Sequence, residues 1–376
     1  MKITKIETIP LTVNIDRGVG KVKNKKGFRF QSNILMVLVH TNKNIHGLGE
    51  VTGSPDWSGE TSFGAKILID EHLGPKLIGE DPRRIRYCME KISKTYFNPF
   101  AKAGLEMALF DIVGKFYNTP VYQILGGIVR EKRIPLRFPV MPVGPKESAD
   151  VALRMVKKGF KTIKLKVGHD ALEYDFKRLI LVREAIGPEI NLTVDANGGW
   201  TVNEAIQAGP KLEELGVLFV EQPVHRLDLE GLAEVRKNIK LPIMADESVF
   251  TVQDAIRCIH LRAADIISIY PGKNGGLLNT ITIASLAEAS GIQCAIGSNL
   301  EWDIGSAAMI HATAAIPNIC VEQYAADIIG VYFHTERAIK SPLSDKPAYV
   351  LVPDGPGLGV EINNEIKIRE DSLYLN

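Results

Sequence analysis

Three apolar segments of this sequence end in an acidic residue: INLTVDANGGW (190–200) contains Asp195, GVLFVEQPV (216–224) contains Glu221, and LPIMADESV (241–249) contains Asp246. The acids stand 26 and 25 residues apart, about the length of one strand, one helix and their loops. Successive strands of a parallel β/α barrel repeat at this interval, and their carboxyl ends share one face. Three carboxylates there, with no His or Cys among them, suit a hard divalent cation, so we predict a Mg²⁺ site.

The chain around these segments alternates short apolar stretches with amphipathic ones. The candidate strands are IPLRFPV, TIKLKV, INLTVDA, VLFVEQ, PIMADE, IISIYP and QCAIGS. The helical stretches between them commonly end in glycine, as helices do at their C-terminal cap. Seven such repeats and an eighth apolar stretch near 318–322 predict a near-complete parallel barrel.

The flanking regions have a different character. MKITKIETIPLTV (1–13) and NILMVLVHT (33–41) alternate apolar and polar residues, which predicts strands, and three helical stretches follow the turn-like GLGE (47–50). The end of the chain returns to strand-like segments that could pack on the N-terminal part. We therefore predict an N-terminal α+β domain (1–130), a barrel domain (131–340) and a returning C-terminal segment (341–376).

Composition excludes several classes of partner. The 376 residues are 45% hydrophobic and 24% charged, with a formal net charge of +1. This balance leaves no electrostatic footprint for nucleic acid or an acidic membrane surface. No apolar run approaches the roughly 18 residues that span a bilayer, and the first residues alternate like a strand rather than like a signal peptide. The four cysteines match no zinc or redox spacing. We expect a soluble, cytoplasmic protein.

Two lysines precede the acids on a neighbouring strand. Lys164 and Lys166 in TIKLKV are two residues apart, so their side chains share one face of the strand and point into the barrel mouth. A lysine held near a cation and partly desolvated should have a lowered pKa and could act as a general base. The alternative is a pair of solvated or ion-paired lysines. Because a divalent metal can stabilise the enediolate formed when a lysine removes the α-proton of a carboxylate, we predict a small carboxylate substrate.

Other candidates are less specific. Asp56 and Trp57 in the irregular SPDWSGE stretch could close over a substrate or form an exposed loop with a buried indole. Glu301 follows the strand-like QCAIGS and could face the same mouth or form a structural ion pair. GGLLNT (275–280) could form a phosphate-binding turn, although two glycines before a helix are a weak signal. His311 lies in a helical run, where a buried, hydrogen-bonded histidine is the better interpretation.

The motifs together resemble the enolase superfamily, specifically its muconate lactonizing enzyme (muconate cycloisomerase) subgroup, which is mandelate racemase-like. The motifs that carry the resemblance are GLGE, PVYQILGG, KLKVG, VDANGGW, EQP, ADES, KNGG, GSNLE and GPGLGVE, which span essentially the whole chain. The resemblance implies a modified TIM barrel, (β/α)₇β, with an α+β N-terminal capping domain completed by the C-terminal segment. It also implies two capping loops, at 15–30 and 51–61, and a homo-oligomer.

The resemblance also implies roles for individual residues. It makes Asp195, Glu221 and Asp246 the Mg²⁺ ligands. It makes Lys166 the base on one face of the substrate, with Lys164 beside it, and it places the family's glutamate after the seventh strand at Glu301. It places Asn197 near the metal, and Lys273 matches another lysine of the family. Our predicted substrate-binding residues are Asn197, Lys273, Asp56, Trp57 and Ser298.

One position departs from the subgroup. Its members usually carry a second catalytic lysine five residues before the Gly-Gly pair, and Tyr270 stands there in ISIYPGKNGG. Lys273 does not obviously replace that lysine. With an ordinary pKa near 10, tyrosine serves more easily as an acid or hydrogen-bond donor than as a cationic stabiliser. An Asp-x-Asp pair is also missing near the expected eighth strand, where IGVYFHTE stands, which argues against dipeptide epimerisation.

These observations predict a Mg²⁺-dependent enzyme with lysine proton transfer on one side of a small carboxylate, acting as a cycloisomerase (an isomerase) or as a dehydratase (a lyase). One alternative is a racemase or epimerase that uses Lys166 and Tyr270. A second is Schiff-base chemistry at Lys164 or Lys166, which the acidic triad argues against. A third is a carboxylate-binding barrel without catalysis. The residues do not identify the substrate.

Overall fold

The computed structural model describes residues 1–16, 22–24, 27–29, 31–344 and 346–363. Much of the predicted capping loop 15–30 therefore lies outside the described residues, as does the end of the chain from residue 364. Among the helices of the described ranges, none combines the length and the apolar character needed to cross a membrane.

The N-terminal part is an antiparallel sheet covered by helices. Its strands are β1 (Ile3–Asn14), β2 (Val22–Asn24), β3 (Gly27–Arg29), β4 (Gln31–Thr41) and β5 (His46–Val51). The sheet order is β1-β4-β5, while β2 and β3 form a separate hairpin. Its helices are α1 (Ser62–Leu68), α2 (Ile85–Ser93), α3 (Pro99–Phe116) and α4 (Val121–Ile124). Helix α3 is buried along most of its length, which explains why its sequence is apolar on all sides.

The GLGE motif is a strand and not the turn that we expected. Its two glycines let β5 lie against the backbone of α3. A Cβ atom on Gly47 would stand 1.9 Å from the carbonyl oxygen of Ala108, and one on Gly49 would stand 1.8 Å from that of Gly104. Glycine is therefore required here by close backbone approach, a use of glycine that the sequence does not distinguish from a turn.

The second part is the parallel barrel. Its strands, preceded by β6 (Arg133–Pro135), are β7 (Arg137–Val140), β8 (Thr162–Lys166), β9 (Asn191–Asp195), β10 (Val217–Glu221), β11 (Ile243–Ala245), β12 (Ile266–Ile269) and β13 (Gln293–Ile296). The longer helices are α5 (Pro145–Lys157), α6 (Leu172–Ile186), α7 (Val202–Glu214), α8 (Leu229–Asn238), α9 (Val252–His260), α11 (Leu277–Ala289) and α12 (Asp303–Ala315), with the short α10 (Pro271–Asn274) before α11. The seven strands β7 to β13 pair in sequence order.

Single bridges close the barrel. Ile319 pairs with Cys294 of β13 and Ala326 pairs with Leu136, next to β7, so the segment 319–326 occupies the place of the eighth strand. The predicted apolar stretch at 318–322 forms the beginning of this segment. The residue that follows this segment at the barrel rim is Asp327. We had expected the IGVYFHTE stretch (329–336) at this position. The predicted modified TIM barrel with an α+β capping domain is confirmed, whereas the exact domain boundaries stay a prediction.

The C-terminal segment returns to the N-terminal part. After α13 (Gly330–Phe333), β14 (Tyr349–Leu351) pairs with β6 in antiparallel register. Farther along, Gly357 bridges to Pro120, and the backbone N–H of Leu358 donates to the buried carboxylate of Asp111 in α3 (2.8 Å). The segment thus contacts both the start of the barrel and the capping helices.

Two buried glutamates join the capping domain to barrel helices. The carboxylate of Glu50, in β5, accepts hydrogen bonds from the backbone N–H groups of Trp302 (2.6 Å) and Gly305 (2.8 Å) at the start of α12. Glu106, in α3, accepts from the backbone N–H of Leu278 (3.3 Å) at the start of α11. Each carboxylate satisfies N–H groups that have no partner within the helix. The carboxyl group of Glu106 therefore lies at the GGLLNT turn, where we had considered a phosphate.

Candidate active site

The three acids predicted as metal ligands lie at the carboxyl ends of neighbouring strands. Asp195 ends β9, Glu221 ends β10, and Asp246 directly follows β11. In the sheet Glu221 is paired with Asp195 on one side and with Met244 on the other. All three side chains are buried. The barrel geometry thus gathers them at one rim, as the 26- and 25-residue spacing predicts.

Both predicted lysines point at this rim. The Nζ atom of Lys166 lies 2.6 Å from Oδ2 of Asp195, and the Nζ atom of Lys164 lies 3.2 Å from the same oxygen. Lys164 also approaches Glu221, at 3.4 Å. Both lysines are therefore ion-paired with the carboxylates, which is one of the two forms of our alternative, and the solvated form does not occur.

The charges of the site act strongly on one another. Burial disfavours the charged form of Lys164, but the negative charges of Asp327, Glu221 and Asp195 outweigh it and raise the pKa. Of the two lysines, Lys164 is therefore not the one that fits the lowered pKa we expected for a general base. Burial also opposes ionisation of Asp195, yet the ammonium groups of Lys166 and Lys164 lower its pKa.

The acids fit a divalent cation by charge. Burial, and then the negative charge of Asp195, raises the pKa of Glu221 to about 8. Burial, and then the charges of Asp246 and Asp195, raises the pKa of the neighbouring Glu247 to about 7. A cation among these oxygens would relieve the repulsion. Within the described residues, no three acidic, His or Cys side chains converge closely enough to hold a metal ion as they stand, and each of the three carboxylates lies near a lysine ammonium group.

Lys273 is one of these lysines. It is fully buried, and its ammonium group donates to the carbonyl oxygen of Asp246 (2.8 Å), to Oδ1 of Asp246 (2.7 Å) and to the carbonyl oxygen of Ser268 (2.7 Å). All three N–H groups are thereby used. This arrangement holds the Asp246 carboxylate, and it leaves no donor on Lys273 free for the substrate contact that we predicted.

Tyr270 lies opposite Lys166 across the barrel, because it directly follows β12 and four strand positions separate β8 from β12. The side chain is fully buried, and its hydroxyl has no hydrogen-bond partner among the described residues. Burial, followed by the negative charges of nearby acids with Asp246 first, raises its pKa well above the ordinary value. A neutral phenol with a free hydroxyl therefore occupies the place of the family's second lysine.

The second capping loop (51–61) covers the side of the site where Tyr270 lies. The ring of Trp57 stacks on Tyr270, with centroids 6.2 Å apart, and packs on Phe250 at 5.1 Å. Of the two alternatives for this loop, the structure shows Trp57 over the barrel mouth. Asp56 is exposed, and in the part of the chain that the structure describes no hydrogen bond or ion pair joins it to the barrel.

Glu301 and Ser298 lie at the outlet of β13. The buried carboxylate of Glu301 accepts from the hydroxyl of Ser298 (2.7 Å) and from the backbone N–H of Asn299 (3.0 Å). Burial raises its pKa to about 7. It lies near Tyr270, whose pKa it raises, so the two groups can act on the same side of a substrate. A structural ion pair, our alternative for Glu301, is not present among the described residues.

Three functional candidates escaped the sequence analysis. Asp327, at the outlet of the eighth segment, lies 2.5 Å from Lys164 and 3.5 Å from Arg137. Arg137 itself is fully buried and lies 3.3 Å from Glu221. Glu247 accepts from Nδ2 of Asn197 at 2.6 Å. The sequence does contain a feature that marks each of them. Asp327 is the acid that ends YAAD, Arg137 is a charged residue inside the strand IPLRFPV, and Glu247 is the second acid of ADES.

Comparison with known proteins identifies the family. The pattern described as "Enolase C-terminal domain-like" matches residues 147–366, and that described as "Mandelate racemase / muconate lactonizing enzyme, N-terminal domain" matches residues 22–126. The chain is 35% identical to the L-Ala-D/L-Glu epimerase of Clostridium acetobutylicum, over 88% of this chain and 92% of that one. It is 33% identical to muconate cycloisomerase 1 of Rhodococcus opacus, over 88% of each chain.

A solved structure supports the same family assignment. The dipeptide epimerase of Enterococcus faecalis V583, complexed with Mg and the dipeptide L-Leu-L-Tyr, superposes with a TM-score of 0.89 at 32% identity, covering 96% of this chain and 99% of that one. Epimerases and cycloisomerases are thus similarly close, and the comparisons do not decide between these reactions. The fold, the rim residues and these matches together show that the chain belongs to the enolase superfamily, in the group of mandelate racemase and muconate lactonizing enzyme.

Proposed function

We propose that this protein is a Mg²⁺-dependent enzyme that removes the α-proton of a small carboxylate substrate. The observation that carries the proposal is the placement of Lys166 beside Asp195 at the barrel rim, directly across from the free phenol of Tyr270. Asp195, Glu221 and Asp246 would hold the cation. Mg²⁺ bound there would stabilise the negative charge that develops on the substrate's carboxylate.

Lys166 acts as the base in this proposal. Its ammonium group is held by Asp195 and by the side-chain oxygen of Asn197 (2.8 Å), so its direction is fixed before the substrate arrives. Once the ammonium group has released a proton to solvent, the amine of Lys166 takes the α-proton, and the electron pair of the broken C–H bond moves onto the substrate's carboxylate to give an enediolate. Lys164, whose pKa is raised by three carboxylates, stays protonated and contributes positive charge.

Tyr270 makes the chemistry one-sided. A phenol that keeps its proton can donate a hydrogen bond or a proton, but it does not take the α-proton as a base, so a base stands on one face only. This favours cycloisomerisation or β-elimination of water over racemisation. Racemisation or epimerisation with Lys166 and Tyr270 is the second candidate, and the similarity to the L-Ala-D/L-Glu epimerase favours it. Assembly into a homo-oligomer also stays a prediction.

The test is proton NMR in D₂O with enzyme, Mg²⁺ and a set of hydroxy acids, muconates and N-substituted amino acids. Deuterium at the α-position, or a new lactone or keto-acid signal, would support the proposal and identify the substrate class. Lys166→Ala should abolish the signal, while Lys161→Ala, which changes an exposed lysine just before the same strand, should not. Retained turnover in Lys166→Ala would refute the assignment of the base.

A further inference from the structure

A chain of hydrogen bonds runs from the second capping loop to Lys166. The indole N–H of Trp57 donates to Oε1 of Glu247 (2.9 Å), and Nδ2 of Asn197 donates to the same oxygen (2.6 Å). Oδ1 of Asn197 in turn accepts from Nζ of Lys166 (2.8 Å). We call Trp57, Glu247, Asn197 and Lys166 the loop relay. It joins the loop to the base through the buried Glu247 and the half-buried Asn197.

Further contacts hold two members of the loop relay, Trp57 and Asn197. The carbonyl oxygen of Trp57 accepts from Nη1 of Arg226 (2.7 Å), and its ring packs on Tyr270 and Phe250. Next to Lys166, the backbone N–H of Asn197 donates to Oδ1 of Asp195 (2.9 Å). Asn197 has φ of 44°, a left-handed conformation that Asn and Asp tolerate better than other side chains. These contacts fix the positions of Trp57 and Asn197 within the relay.

The relay uses only one oxygen of Glu247. Oε1 accepts both donors, whereas Oε2 is buried and has no hydrogen-bond partner within the described ranges. A glutamine could place its carbonyl oxygen at Oε1 and its amide nitrogen at Oε2. The hydrogen bonds of the relay would then survive the loss of the charge.

We propose that Glu247 and Asn197 are positioning residues that couple the seating of Trp57 to the orientation of the Lys166 ammonium group. The catalytic meaning of this coupling rests on the proposed function, in which Lys166 is the base. The coupling itself does not require turnover. Because a coupling free energy acts equally in both directions, a change at Lys166 must also alter the seating of Trp57.

The first test measures the seating of Trp57 by acrylamide quenching of tryptophan fluorescence, with Mg²⁺ present. Trp200 and Trp302 are 5% and 1% exposed, so Trp57 should dominate the quenching, and Trp57→Phe gives the baseline. Glu247→Leu should raise the quenching constant at least twofold. Glu247→Gln should keep the wild-type value, and so should the matched control Glu230→Leu, which changes an exposed acid at the start of α8.

Two further variants test each half of the relay. Asn197→Asp keeps an oxygen for Lys166 but replaces the N–H donor that faces Glu247, and it should raise the quenching constant. Lys166→Met removes the far end and should raise it as well. Unchanged quenching in Lys166→Met, or equal effects of Glu247→Gln and Glu247→Leu, would overturn the coupling. Thermal unfolding of each variant shows that the fold persists.

The second test uses whichever carboxylate exchanges its α-proton in D₂O. Trp57→Phe removes the N–H donor and should lower kcat about tenfold, the effect of one hydrogen bond to a charged group, with a smaller change in KM. A change in KM alone would overturn the role in positioning the base. If Lys166→Ala retained turnover, the proposed function would fail, while the quenching experiment would still decide whether the coupling exists.

Discussion

Glu106 should make the stability of the protein depend on pH in a direction that can be measured. This residue, in the middle of α3, is buried against the start of α11, where its carboxylate accepts from the backbone N–H of Leu278. Burial raises its pKa from 4.5 to about 8, with the hydrogen bonds from α11 and the charge of Arg86 opposing the shift only in part. The folded protein therefore holds a proton that the unfolded chain releases.

The sign and size of the effect are set by the two pKa values. An acid whose pKa is raised by folding contributes stability that is complete below pH 4.5 and is lost as the pH rises toward about 8. One pH unit inside this window corresponds to roughly 1.4 kcal/mol. Between about pH 5.5 and about pH 7.5, this residue should lower the free energy of unfolding by about 2.5 kcal/mol.

The substitution that isolates this contribution is Glu106→Gln. Glutamine keeps the oxygen that accepts from Leu278 and has no proton to lose. Relative to the wild type, the variant should therefore gain about 2.5 kcal/mol in its free energy of unfolding between about pH 5.5 and about pH 7.5. Urea denaturation at the two pH values, with equal m-values, measures this double difference, in which the pH dependence of all other groups cancels.

The matched control is Glu90→Gln, which makes the same change on the exposed face of α2. It should leave the pH dependence as it is in the wild type. If the stability difference between Glu106→Gln and the wild type were the same at both pH values, Glu106 would be ionised in the folded protein. The interpretation of a protonated acid at the interface between α3 and α11 would then be refuted.

Three further predictions concern single side chains. Tyr270→Phe should lower kcat about a hundredfold while Mg²⁺ binding, measured by calorimetry, stays the same, and an unchanged kcat would make Tyr270 only a wall of the site. Gly49→Ala should cost at least about 3 kcal/mol in a urea titration, because its Cβ would lie 1.8 Å from the carbonyl oxygen of Gly104, whereas Gly144→Ala, with no atom within 4 Å, should be nearly neutral. Asp327→Asn should lower the free energy of unfolding by about 3 kcal/mol, since it removes one counter-charge from the buried Lys164 and Arg137 and leaves them only their ion pairs with Glu221 and Asp195; a loss below about 1 kcal/mol would contradict the importance of Asp327 in this network.

The sequence predicted those parts of the site that depend on one strand at a time. Asp195 and Glu221 end short strands rich in apolar residues, and Lys164 and Lys166 differ by two positions on one strand, so period and spacing were enough. The same reasoning located Tyr270 after β12. In each case the side chain's direction is set by its own strand, and barrel topology brings the strand ends together.

The parts that were missed depend on contacts between distant segments. Asp327 meets Lys164 across 163 residues, and it lies where barrel closure is made by isolated bridges in place of a strand with a recognisable pattern. GLGE was misread because only the approach of α3 shows why Gly47 and Gly49 are needed. The burial of Lys273 could not be predicted either, because a lysine that follows a strand is commonly solvated. In the structure Lys273 is fully buried beside Asp246.

The residues that place this chain in its family are not the residues that select its reaction. The acids at the rim and the lysine pair would prepare an enediolate in any of the candidate reactions, so they cannot distinguish a cycloisomerase from an epimerase. The fate of the enediolate depends on the groups that face it from the opposite wall, where this chain has Tyr270 stacked beneath Trp57. A neutral donor there can direct a proton to a leaving group or stabilise a ring-closing carboxylate, but returning a proton to the second face would need a partner that reprotonates the phenol. The search for a substrate should therefore begin with compounds whose reaction is complete after a single base has acted.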